Sequence, residues 1–179
     1  MNVMRPSELL TDAFGRIGTI VGGVLHGLEP QNANWRPGGS GNSIAWLVWH
    51  LSRGQDEQIA EVAGTESVWR SGEYAARFAF GLDPADTGYG HTAEQAAAVH
   101  VDSTELLREY LQAVLARSLE YVGGLSDAEL DRIVDERWDP PVTLGVRLIS
   151  ILDDCVQHGG QAAYVKGLLA QSDFAPARG

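Results

Sequence analysis

Apolar residues recur at steps of three and four along Leu144, Leu148, Ile151, Cys155, His158, Ala162, Val165 and Leu169, the spacing of one buried face of a long helix. A stripe of this kind must be covered by another element, and the chain supplies the same period three more times. His158 lies on the stripe, and Asp154, one turn earlier, lies at its edge. A carboxylate and an imidazole therefore project side by side toward the interior. An unpartnered buried carboxylate is costly, so a cation from another helix or a metal ion is expected to compensate Asp154.

The other three periodic segments come in order. Ser7 is placed to cap a helix with Leu10, Phe14, Ile17, Val21, Val24 and Leu28 on one face, ending near Leu28 before Pro30. His26, off that face, reads as a solvated or hydrogen-bonded histidine. Gln31 to Gly41 reads as a loop. Asn42 or Ser43 caps a second helix that runs to about Ala63, with Gly64 in the stop position. Its stripe is Ile44, Val48, Leu51, Ile59 and Val62, with Gln55 as the polar exception, and His50 flanks it within the run Trp46-Leu47-Val48-Trp49-His50-Leu51. Thr65 to His91 reads as a long, irregular, aromatic-rich connection, suited to a lid or pocket wall. Thr92 to Gln95 matches a capping box for a short helix through Val99, and Asp102 to Glu105 offers the start of a longer one that ends at Gly123-Gly124. Ser126 to Glu129 caps a short turn. The Pro140-Pro141 pair excludes a helix between Asp131 and Thr143, leaving a small extended hairpin that delivers Trp138 and Asp139 before Thr143 caps the last helix. Four long amphipathic helices and no sheet of more than two strands predict an all-α four-helix bundle, with the long crossover between the second and third helices.

At 179 residues the chain has the length of one ordinary domain, expected to span 1–179. Its formal charge of −11, from 24 acidic and 13 basic residues, disfavours nucleic acid and anionic membranes as partners. The longest apolar stretch, Ile17 to Leu28, is interrupted by Gly22, Gly23, His26 and Gly27 and is too short to span a bilayer. The N-terminus lacks the features of a signal peptide, and a single cysteine excludes an internal disulfide and suits a reducing compartment. A cytoplasmic location is expected.

Bundles build metal sites from side chains on facing helices. His50 with Asp154 and His158 would supply two nitrogens and one oxygen, a set suited to zinc and acceptable to nickel, iron or manganese. Three protein ligands leave a position open for chemistry. In the alternative reading, His50 and His158 simply hydrogen-bond to Asp154 in the core. Cys155 reads as a small core residue, with a thiolate ligand or nucleophile as the alternative. Gln161 is placed to orient a ligand of the site. Trp49, Tyr89, His91 and Trp138 are candidate pocket residues, with aromatic core packing as the alternative. Arg77 could meet an anionic ligand or lie in a surface ion pair.

The run Gly41 to Leu51, GNSIAWLVWHL, resembles the second-helix signature of the DinB-like superfamily. Asp154 to Gln161, DCVQHGGQ, resembles its fourth-helix signature, HxxxHxGQ. The likeness covers nearly all of the chain, and DTGYGH at Asp86 to His91 and RWDPPVTLG at Arg137 to Gly145 resemble an uncharacterised, largely actinobacterial branch. The resemblance implies an up-down-down-up bundle with a divalent metal near one end, bound in many relatives by three histidines. His50 and His158 match two of them, and Asp154 replaces the third. The superfamily's mycothiol-dependent maleylpyruvate isomerases are similar in placing a carboxylate there. By the same resemblance the expected function is that of a metal-dependent thiol S-transferase. Mycothiol is its expected thiol, since a composition with arginine in place of nearly all lysine fits an actinobacterial source. The expected partners are a small thiol and an electrophile, with a homodimer as the candidate assembly. A non-catalytic metal-binding stress or ligand-binding protein and a metal-assisted hydrolase are the alternatives.

Overall fold

The computed structural model describes residues 4–172. Its helices are α1 (Pro6–Leu25), α2 (Pro30–Ala33), α3 (Ile44–Ala63), α4 (Val68–Ser71), α5 (Tyr74–Phe78), α6 (Ala93–Ala98), α7 (Thr104–Gly123) and α8 (Leu144–Ser172). Strands β1 (Ile133–Asp135) and β2 (Val142–Thr143) pair antiparallel in a small hairpin. α1, α3, α7 and α8 form the bundle: α1 packs on α7 and α8, and α3 packs on the same two. The expected stripes supply its core, with Phe14, Ile17 and Val21 of α1, Ile44, Val48 and Leu51 of α3, and Leu144, Leu148 and Ile151 of α8 all buried.

The helix ends follow from their caps. Ser43 Oγ accepts from the Trp46 backbone N–H at 3.1 Å, and α3 stops at Gly64 in the left-handed region, φ 66°. Thr92 and Gln95 close the expected capping box at the start of α6, although the helix ends at Ala98. Ser103 caps α7, and Thr143 Oγ1 accepts from the Val146 N–H at the start of α8. At the start of the chain the expectation is corrected. α1 begins at Pro6, with Arg5 at the cap and Glu8 reaching back to the Arg5 N–H at 2.9 Å, so Ser7 is a buried residue of the first turn. Proline lacks the N–H that a first-turn position would leave unpaired. The helix also ends earlier, at Leu25, with Gly27 turning the chain at φ 63°.

Gln55, the polar residue on the α3 stripe, is buried because it joins three helices. Its Nε2 donates to Ser118 Oγ of α7 at 2.7 Å, and its Oε1 accepts from Cys155 Sγ of α8 at 3.5 Å. The crossover is more ordered than its sequence suggests, since α4 and α5 lie within it. Asp56 of α3 organises its first part: the buried carboxylate accepts from the Val68 N–H at 2.8 Å, the Trp69 N–H at 2.7 Å and the Tyr110 hydroxyl at 2.8 Å. It acts as an N-cap supplied from another helix. Trp69, Tyr74, Phe78 and Tyr110 pack as one aromatic cluster above it. The hairpin is tied to the bundle by Asp135, whose buried carboxylate takes Arg137 at 2.7 Å and Arg147 of α8 at 2.9 Å. Those two guanidinium groups hold Asp135 far below the usual carboxylate range.

Candidate metal centre

His50 projects from the face of α3 turned toward α8 and is held by its neighbours. Trp46, one turn earlier, stacks on its ring at 4.6 Å with an interplanar angle of 19°. Its Nδ1–H donates to the carbonyl oxygen of Thr87 at 2.6 Å. A carbonyl can only accept, so the proton is on Nδ1 and the lone pair is on Nε2. Gly88 makes this approach feasible. Its φ of +89° suits glycine, and a Cβ there would lie 2.9 Å from both His50 Nδ1 and Trp49 Cζ3. The turn is fastened by Asp86, which accepts from the Gly88 N–H at 2.8 Å and from His91 Nε2 at 2.8 Å. His91 Nδ1 in turn accepts from Trp46 Nε1 at 3.1 Å. The DTGYGH segment is thus a clamp on one imidazole.

Asp154 and His158 stand one turn apart on α8. His158 Nδ1–H donates to Gln161 Oε1 at 2.9 Å, leaving its Nε2 3.4 Å from Asp154 Oδ1. The His50 and His158 rings meet edge to face with centroids 4.7 Å apart. One ligand atom from each of His50, Asp154 and His158 falls within 4.8 Å of the others. The expectation of a buried carboxylate is corrected here: the Asp154 side chain is 42% exposed and that of His158 is 18% exposed. Asp154 lines a cavity together with His50.

The electrostatics favour a cation at this point. With Nδ1 of both rings donating, Nε2 of neutral His158 and Asp154 Oδ1 are two acceptors facing each other. A proton on the imidazole or a metal ion between them satisfies both. The bond to Asp154 raises the His158 pKa, and His158 lowers that of Asp154. Burial pushes His50 the other way, toward the neutral form that a metal requires. The donor set fits a divalent metal. It offers two imidazole nitrogens and one carboxylate oxygen, each imidazole oriented by a hydrogen bond from its other nitrogen, with an open side.

The remaining candidates are placed as follows. Tyr89, 92% exposed, lines a cavity with His50, Gly54, Glu57, Gln58 and Asp154. Gln161 orients His158 and lines a second cavity with Asn42, Leu47 and Tyr164. His91 is inside the clamp. Trp49 is buried and packs against His91, Trp69 and Phe80. Arg77 makes a two-pronged pair with Glu109 at 2.7 and 2.6 Å and lies over the Tyr74 ring. Trp138 is 65% exposed on the hairpin loop. Cys155 is buried, and burial pushes its thiol far above the ordinary range, so it stays protonated and inert. The sequence reading missed Thr87, Gly88, Gly54 and Glu57. Thr87 acts through its backbone carbonyl, which leaves no mark in the side-chain pattern, but the glycines around it were a usable signal.

Residues 21–162 match the family model of the DinB superfamily. The chain belongs to the DinB superfamily. The match runs from within α1 to within α8 and so includes every residue of the candidate centre. A crystal structure of a conserved protein from Enterococcus faecalis is similar at 32% identity and a TM-score of 0.88, over 94% of this chain and 99% of that one. No curated protein matches the chain. The DinB bundle, including metal-binding members, is therefore the frame in which the three-residue cluster sits.

Proposed function

We propose that the protein holds one divalent metal, zinc in the first place, through His50 Nε2, Asp154 and His158 Nε2, and is a thiol S-transferase acting on a small electrophile. The observation that supports this is the pair of engaged Nδ1 atoms, which leaves Nε2 of each imidazole as the donor that joins an Asp154 oxygen in the cluster. A metal with an open position lowers the pKa of a coordinated thiol, so that the thiolate, the nucleophilic form, is present at neutral pH. The rest is the work of the chain. Thr87 and Gln161 fix the two rings, Asp154 supplies the negative charge that offsets the ion, and Tyr89 and Gln161 are placed for contact with bound molecules. Trp49 and His91 support the site from behind, and Arg77 and Trp138 are candidates for contacts farther out. Mycothiol is the thiol that the family resemblance favours. Nickel, iron and manganese suit the same donors.

The test has two stages. Protein purified without added metal should carry close to one metal ion per chain by elemental analysis, and His50→Ala or His158→Ala should lose most of it. Consumption of an electrophile such as a chlorodinitrobenzene should then require both the metal and mycothiol. Wild type and both alanine variants binding equally little metal would end the metal reading. Metal-dependent turnover of ester substrates without any thiol would replace transfer by hydrolysis.

A further inference from the structure

The groove between α3 and α8 has a floor that packing does not require. Gly54 lies in the middle of the 20-residue helix α3, where glycine is less favourable than any residue but proline. An alanine Cβ at this position would meet only Asp154 Oδ2, at 3.7 Å, an ordinary contact. Neither the backbone nor a neighbour demands glycine there, and its missing side chain leaves open space over the carboxylate. That space belongs to the cavity of ≈ 360 Å³ lined by His50, Gly54, Glu57, Gln58, Tyr89 and Asp154, a volume within the range of small-molecule sites.

Glu57 is seven residues beyond His50 on the same face, about 10 Å farther along the helix axis. Its Oε1 is fixed by Arg53 Nη1 at 2.7 Å and by Ser67 Oγ at 3.1 Å, so the carboxylate is held at the far end of the cavity. Arg53 itself is fully buried. It lies over the Trp69 ring and donates from Nε to the Asp86 carbonyl, so it pairs with Glu57 without itself lining the cavity. Among the described residues, the charged groups lining the cavity are carboxylates, and no lysine or arginine lines it.

We propose that this cavity receives the far end of the molecule whose thiol reaches His50, Asp154 and His158. Glu57 selects an end that carries hydrogen-bond donors, hydroxylated or cationic, over one that carries a carboxylate or phosphate. The inference rests on the thiol reading above for which end meets the cluster. Glu57 is then a specificity-determining residue, and Gly54 is the residue that keeps the passage open.

The experiment is titration calorimetry of zinc-loaded protein with mercaptohexanol, aminohexanethiol and mercaptohexanoate, which differ only in their terminal group. The hydroxyl and amine compounds should bind at least about tenfold more tightly than the carboxylate, because the Glu57 carboxylate accepts hydrogen bonds from donors and offers none to an anion. Glu57→Gln should close most of that gap. Gly54→Leu should weaken all three while zinc content stays at the wild-type level, which separates a blocked passage from a lost metal site. Equal affinities in the wild type, a gap unchanged by Glu57→Gln, or binding untouched by Gly54→Leu would overturn the subsite and leave the thiol reading standing. Binding by none of the three would overturn the thiol reading and the subsite with it.

Discussion

Asp154 decides the chemistry of the centre, because a carboxylate facing an imidazole can hold a proton or a metal but not both. As a ligand it tolerates Asp154→His, which restores a three-nitrogen set, whereas Asp154→Asn removes the charge and should weaken metal binding about tenfold or more. As a mere hydrogen-bond partner it does not tolerate histidine, and crowding imidazoles without an anion should cost a few kcal/mol. Thermal unfolding of wild type and both variants, with and without chelator, separates the two accounts. Proton linkage gives a second test. The folded-state pKa of His158 is raised above its ordinary 6.5, so in the metal-free protein its contribution to stability is complete below that pH and lost as pH rises through the raised value. Asp154 is depressed below 3.8, so its contribution is present above that pH and lost as pH falls through the depressed value. The pair is therefore most stabilising from about pH 4 to 6.5. Metal at His158 must displace its proton, so calorimetry in buffers of different ionisation enthalpy should show proton release on metal binding at pH 6.5 that falls toward zero at high pH. Release that does not vary with pH would exclude His158 as the titrating ligand.

Among the elements, the clamp between α5 and α6 matters most to the site. Gly88→Ala would force a residue with a side chain to φ +89° and place its Cβ 2.9 Å from His50 Nδ1. It should cost roughly 1–3 kcal/mol and lower metal affinity more than a stability loss alone predicts; equal affinity in a folded variant would show that the clamp does not position His50. The crossover's other anchor is structural. Asp56→Ala leaves two buried N–H groups and the Tyr110 hydroxyl without their acceptor, and should cost about 3 kcal/mol or more in denaturant unfolding while metal binding at low temperature survives. These two anchors also mark where the sequence was legible. The four bundle helices were readable because each repeats its apolar period over several turns, and the caps at Ser43, Thr92 and Thr143 carry a local signature. α4 and α5, of 4 and 5 residues, are shorter than any period can reveal, and α4 is capped by Asp56, whose partners are 12 and 13 positions away. His50, Asp154 and His158 could be read from their helical faces. The half-exposed position of Asp154 could not, because it depends on how α8 packs against α3.

Across the whole molecule, charge and sequence separation set the behaviour. A formal charge of −11 predicts no submicromolar, salt-sensitive binding to duplex DNA at physiological ionic strength, which a fluorescence-anisotropy titration checks. Among the described residues no helix is long and apolar enough to cross a membrane. The bundle closes through pairings between its most distant helices, α1 with α8 and α3 with α8. His50 and its clamp therefore exist in the nascent chain well before the other two candidate ligands have been synthesised. A ribosome must reach His158 before this three-residue cluster can form, so the young polypeptide carries His50 without the two side chains that complete it. If the cluster holds a metal as proposed, the choice of ion is deferred to the folded protein, where the spacing of α3 and α8 rather than the flexibility of a peptide sets the donor geometry.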